Sequence, residues 1–197
     1  RALVGRGDNA VIVSPAYAIF SNSVIMAGGE PRPVALARTG GRFQLDLDRL
    51  RHAIDRHTRM VIVNSPSNPT GWMISVEEQR ALLELAAQHD LAILADEVYE
   101  RLVYTDHPEG GPARVAPSFA RVAGNRDRLI VVNSFSKTYN MTGWRLGWAQ
   151  ASEATITTMY RAVEFMTSNP SAMVQQAGIV ALRDGEPYVK TLREHYA

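Results

Sequence analysis

Met60-Val61-Ile62-Val63-Asn64-Ser65-Pro66-Ser67-Asn68-Pro69-Thr70-Gly71 joins an unbroken apolar run to a loop of turn-forming residues. The run has no apolar-polar alternation, which marks a strand covered on both faces in a parallel sheet. Beyond the loop, Ser75 and Glu78 have the spacing of a capping box. The helix they open carries Ala81, Leu82, Leu85 and Ala86 on one face up to about His89. Leu91-Ala92-Ile93-Leu94-Ala95 is then a second strand, completing a strand-helix-strand unit.

The pattern extends in both directions. Ala10-Val11-Ile12-Val13 and Leu129-Ile130-Val131-Val132 are further buried strands. Helices are predicted over Leu45 to Ile54, over Glu153 to Met166, from Asn169-Pro170 toward Leu182, and from Glu186 with Pro187 in the first turn. Gly28-Gly29-Glu30-Pro31-Arg32-Pro33 reads as a turn between a helix and an extended stretch, and Pro108 to Pro117 as a surface loop. The fold class expected is α/β, a mostly parallel sheet with helices on both faces. Residues 1–197 form one domain, with a core over about 1–165 and helices over 166–197.

Composition narrows the function. There are 21 basic and 20 acidic side chains, a net charge of +1, so no continuous field exists for nucleic acid or an anionic membrane. The absence of cysteine excludes disulfides and thiolate sites and agrees with a cytoplasmic setting. No apolar stretch approaches the ~20 residues of a membrane helix. Among the five histidines, His52 and His57 lie five apart, not the four that suits a helical ligand pair, and no metal site is expected. Arg6-Gly7-Asp8 is ordinary loop composition, and the formal glycosylation sequon Asn140-Met141-Thr142 falls inside a motif loop. Small-molecule chemistry is the expectation that remains.

In open parallel sheets, ligands bind beyond the carboxyl ends of the strands. Three motifs begin there: Asn64 to Gly71, Ala95-Asp96-Glu97-Val98-Tyr99, and Asn133-Ser134-Phe135-Ser136-Lys137-Thr138 followed by Gly143-Trp144-Arg145-Leu146-Gly147. Lys137 is either a solvated cation or an amine able to form an imine. Arg145 is either a surface ion-pair partner or a fork for a phosphate. Asp96, at a strand end, should be buried and so in need of a cation, with a helix N-cap as the simpler role. Asn68 is held extended by Pro69, although Asn-Pro-Thr-Gly alone is common turn chemistry. Tyr17 and Tyr99 could equally be packing aromatics.

Taken together, the three motifs resemble the pyridoxal-phosphate aminotransferases of the aspartate aminotransferase superfamily, fold type I. The resemblance implies that Lys137 carries pyridoxal 5'-phosphate as an imine, that Ser134 and Arg145 hold the cofactor phosphate and that Ser136 also binds the cofactor. It also implies that Asp96 holds the pyridine nitrogen and that Tyr99 and Asn68 reach the phenolic oxygen. Asn68 would further receive the substrate carboxylate, and Tyr17 would stack on the ring. Lys137, Asp96 and Tyr99 form the implied catalytic set. The implied reaction is amino transfer between an amino acid and a 2-oxo acid in a homodimer. A lyase or decarboxylase on the same scaffold, or the effector domain of a transcription regulator, are the alternatives. The resemblance also implies a phosphate-binding helix upstream and a smaller domain with a carboxylate-binding arginine downstream. The expectation is therefore of a chain incomplete at both ends and inactive by itself.

Overall fold

The apolar runs form strands because each is short, rich in β-branched residues and closed by turn chemistry. A computed structural model describes residues 2–104, 115–124 and 128–197. In chain order the strands are β1 (Asn9–Ser14), β2 (Glu30–Ala35), β3 (Ala37–Thr39), β4 (Arg42–Gln44), β5 (Thr58–Asn64), β6 (Ala92–Asp96), β7 (Leu129–Ser134) and β8 (Gly147–Gln150). The helices are α1 (Ile19–Ala27), α2 (Leu47–Ala53), α3 (Val76–Gln88), α4 (Phe135–Thr138), α5 (Glu153–Met166), α6 (Ala172–Asp184) and α7 (Glu186–Tyr196). Six strands make one sheet in the order β2-β1-β5-β6-β7-β8, and β3 pairs with β4 apart from it. All neighbours in the large sheet are parallel except β7 and β8.

Alternate residues of the same strands enter different layers, as the two-residue period of a strand requires. Val11, Val13, Val61, Val63, Ile93 and Ala95 pack with Leu50 of α2 and with Leu82, Leu83, Leu85 and Ala86 of α3. Ala10, Ile12, Met60, Ile62 and Ala92 pack with Val24 of α1 on the other face. The expected α/β fold with helices on both sides is therefore observed. Burying one such Val, Leu or Ile side chain fully contributes about 1.5–3 kcal/mol, so these rows are the main source of cohesion.

Local chemistry sets the helix ends. Ser75 Oγ accepts from the backbone N–H of Glu78, and the Glu78 carboxylate accepts in return from Ser75 N, so the capping box is formed. Gly28, at φ 94°, closes α1 in the left-handed region that favours glycine.

Two expectations change in detail. The turn read at 28–33 is confined to Gly28 and Gly29, because Glu30 already pairs with Asn9 and Pro31 and Pro33 lie inside β2. Prolines are tolerated there because β2 is an edge strand with one side free of ladder bonds. The β3–β4 hairpin and antiparallel β8 are additions to the sequence reading. Of the loop expected at 108–117, residues 108–114 lie outside the described residues, as does Arg1.

Candidate active site

Three strands deliver the motifs to one edge. Asn64, Asp96 and Ser134 are the last residues of β5, β6 and β7, and Asn64 is directly paired with Asp96. Residues separated by seventy positions in sequence thus start their loops side by side.

Lys137 stands on α4, a single turn built directly on the end of β7. Ser134 Oγ accepts from Ser136 N at 3.0 Å and caps that turn, while its own proton goes to the Leu146 carbonyl at 3.2 Å. Phe135 is buried beneath the turn, with its ring edge-on to Trp148 at 5.1 Å. Anchored in this way, the turn brings Lys137 Nζ to 5.6 Å from the centre of the Tyr99 ring. Thr142 Oγ1 donates to the Ser136 carbonyl at 3.1 Å, tying the turn to the segment that follows.

Arg145 lies beyond that segment in the left-handed backbone region, at φ 53°. Its Nη1 donates to the Thr142 carbonyl at 2.8 Å, and it joins no ion pair among the described residues. Gly147 follows at the start of β8, where a Cβ would come to 2.6 Å from the Asn133 carbonyl oxygen. Only glycine lets β8 approach β7 this closely.

Asp96 has an unusual environment for a carboxylate. Burial pushes its carboxyl pKa up from the ordinary value, opposed by a bond from Val98 N to Oδ1 at 3.2 Å. The cation expected beside it is not found among the described residues, and its bond to Val98 N closes a turn rather than capping a helix. Glu97, next in sequence, is buried and faces elsewhere. Its Oε1 accepts from Phe119 N at 2.9 Å and it bonds Ser118, so it anchors the segment around Phe119. Burial pushes the Glu97 carboxyl up as well, with further upward contributions from the negative charges of Glu100 and Asp96.

Two buried asparagines complete the strand ends. Asn133 accepts from Ser134 N at 2.8 Å and bonds the carboxyl of Glu100, whose pKa is raised by burial. Asn64 accepts from Asn68 N at 2.8 Å and donates to the Asp96 carbonyl at 3.0 Å. Neither asparagine, nor Glu97, was assigned a role from sequence. The available signal was a polar side chain closing an otherwise apolar strand, where burial obliges it to find partners.

Asn68 and Tyr99 line one cleft of about 320 Å³ together with Pro66, Pro69, Leu102 and Tyr104. Tyr17 follows the end of β1 at the same sheet edge and is 55% exposed, so it is not a tyrosine packed under a loop. The same sheet edge thus carries the loops of Lys137, Tyr99, Asn68 and Arg145 and the half-buried carboxylate of Asp96, beside which no cation lies among the described residues.

The chain belongs to the aminotransferase class I and II family, whose model matches residues 1–197. It is 33% identical over 197 residues to an aspartate aminotransferase of Bacillus subtilis (strain 168), covering 100% of this chain and 48% of that protein. Over 191 residues it is 35% identical to aromatic-amino-acid aminotransferase 2 of Thermococcus litoralis, covering 96% of this chain and 47% of the relative. Among solved structures, N-succinyldiaminopimelate aminotransferase from Mycobacterium tuberculosis superposes with a TM-score of 0.89 at 36% identity, over 98% of this chain and 49% of that one. The chain spans about half the length of the curated relatives it matches.

Proposed function

We propose that this protein acts in pyridoxal-phosphate-dependent transfer of an amino group between an amino acid and a 2-oxo acid. The observation that carries the reading is the half-buried Asp96 carboxylate, without a cation among the described residues, at the same strand edge as Lys137 and Tyr99. Even partial burial of a carboxylate with no cation is costly, as the upward push on the Asp96 carboxyl reflects, and a ligand bearing an N–H⁺ removes that cost. The pyridinium of pyridoxal phosphate fits this demand. Its aldehyde suits the amine of Lys137, its phenolic oxygen suits the donors of Tyr99 and Asn68, and its phosphate suits Arg145 with Ser134 and Ser136.

When bound, the cofactor supplies an electron sink for charge that develops at the substrate alpha carbon. Asp96 would accept the ring N–H and keep that nitrogen protonated, because no other cation pairs with this half-buried carboxylate among the described residues. Lys137 would hold the cofactor aldehyde through its amine, and once a substrate amine had displaced it, the freed Nζ would take and return the proton at the substrate alpha carbon. Arg145 already donates one guanidinium N–H to Thr142, which fixes its direction and leaves the rest of the fork for phosphate. Ser134 has given its only proton to Leu146, so it assists the phosphate by rotating its hydroxyl, and otherwise by holding the α4 turn. Tyr17, largely exposed at the edge, would cover one face of the ring. Asn68 receives the substrate carboxylate from the cleft it lines.

The same reading includes a homodimer and a cytoplasmic setting. Exposed apolar side chains on α5 and α6, among them Phe165 at 89% and Met173 at 80%, support a further packing partner. The absence of cysteine supports a reducing compartment. Among the described residues, no helix is long and apolar enough to cross a membrane.

Product analysis tests the reaction. With one amino acid as sole substrate, the cofactor-loaded natural polypeptide that carries this chain should form the 2-oxo acid in an amount equal to the cofactor present, with neither ammonia nor carbon dioxide released. Release of carbon dioxide or ammonia would place it among the decarboxylases or lyases instead.

A further inference from the structure

The buried side chain of Asn64 joins two of the three motif loops. It is 5% exposed and sits in the last register position of β5, opposite Asp96. Its Oδ1 accepts from Asn68 N at 2.8 Å, and its Nδ2 donates to the Asp96 carbonyl at 3.0 Å. The amide thus spans from the loop that carries Asn68 to Asp96, which carries the half-buried carboxylate. A second bond runs along the same seam, from Ser65 N to the Asp96 carbonyl at 3.0 Å. Ser65 in turn accepts from Ile74 N through its hydroxyl at 2.9 Å, which closes the loop back on itself.

We propose that Asn64 is a positioning residue for the cofactor, fixing the spacing between the Asn68 amide and the Asp96 carboxylate. The inference rests on the pyridoxal-phosphate reading above. An aromatic ring is rigid, so partners for its nitrogen and its phenolic oxygen must keep a fixed separation, and a displacement of about 1 Å is costly at such a site. Asn68 has a proline after it, so the main-chain freedom that remains is largely at its own N–H side, where Asn64 holds it. Only a side chain with both an acceptor and a donor at this length can serve both loops, and asparagine has both.

Two substitutions and two readouts test this. In Asn64→Ala both bonds are lost, so amide hydrogen exchange at Asn68 should accelerate on the order of tenfold, the size expected for loss of one buried hydrogen bond. Exchange at Ile62 and Ile93, in the sheet interior, should stay unchanged and reports that the fold is intact. Affinity for pyridoxal phosphate, measured by equilibrium dialysis, should fall by a similar factor. Asn64→Asp keeps the acceptor and loses the donor, so it should retain protection at Asn68 while still weakening the cofactor. Unchanged Asn68 exchange in Asn64→Ala, or unchanged cofactor affinity in a variant whose Asn68 amide is freed, overturns the inference and leaves the functional reading standing. Failure of the unsubstituted protein to bind pyridoxal phosphate overturns the functional reading itself, and the positioning role with it.

Discussion

Asp96 carries a cost that no cation among the described residues removes. Burial raises its carboxyl pKa above the ordinary aspartate value of 3.8, with only the Val98 N–H opposing. A group whose folded pKa is raised binds its proton more tightly when folded, so its contribution to stability is lost as pH rises from 3.8 through the folded value. Asparagine at this position keeps an acceptor for Val98 N and never ionises. In the cofactor-free protein, Asp96→Asn should therefore be more stable than the parent at about pH 7. The gain should vanish below 3.8, as followed by urea unfolding at both pH values. A gain that is equal at both would point to packing rather than charge. Pyridoxal phosphate should bind the variant less tightly, because the ring N–H loses its charged acceptor. Asp96 was legible from sequence through its place after an apolar run. Its lack of a cation was not, since that depends on what the facing elements bring.

At the scale of elements, the strands that carry the site were readable because their apolar runs are continuous, and α3 because Ser75 and Glu78 announce its cap. The hairpin of β3 and β4 was hidden by polar, exposed residues, although Gly40 and Gly41, with φ of 58° and 79°, are the signal of a tight turn. β8 was hidden inside a motif: Gly147 marked the end of a ligand loop in the sequence, yet in the structure it begins an antiparallel strand paired with Ser134. Function and architecture meet at that residue. A Cβ at Gly147 would stand 2.6 Å from the Asn133 carbonyl, which is backbone and cannot swing aside. Gly147→Ala should thus destabilise the protein by about 1–3 kcal/mol through overpacking, measured by urea unfolding. It should also loosen the pairing beside Ser134, visible as faster amide exchange at Trp148 and Gln150. Exchange there equal to that of the parent would show that β7 and β8 do not need so close an approach.

In the whole molecule, the sheet gathers at one edge residues that are far apart in the chain, and the helices hold that edge from behind. Helix α6 packs its Gly178 so closely under Leu146 and Phe135 that a Cβ would approach Leu146 to 2.5 Å, so it supports the segment carrying Lys137 and Arg145. The salt bridge of Arg101 with Glu186, and that of Glu186 with Arg193, join the turn after Tyr99 to α7. The placement of Asn68, Asp96, Tyr99, Ser134, Lys137 and Arg145 at one edge could be foreseen from strand order alone, because parallel strands share a carboxyl end. The contacts that fix their spacing, through Asn64 and Asn133, could not, because they join loops whose mutual distance only the folded sheet defines. The central claim is that Lys137 is the attachment point for pyridoxal phosphate, and borohydride reduction of the cofactor-loaded protein followed by peptide mapping tests it most directly. The account predicts a stable pyridoxyl group on Lys137. Its appearance on Lys190 instead, or bound cofactor that leaves no lysine labelled, would contradict it.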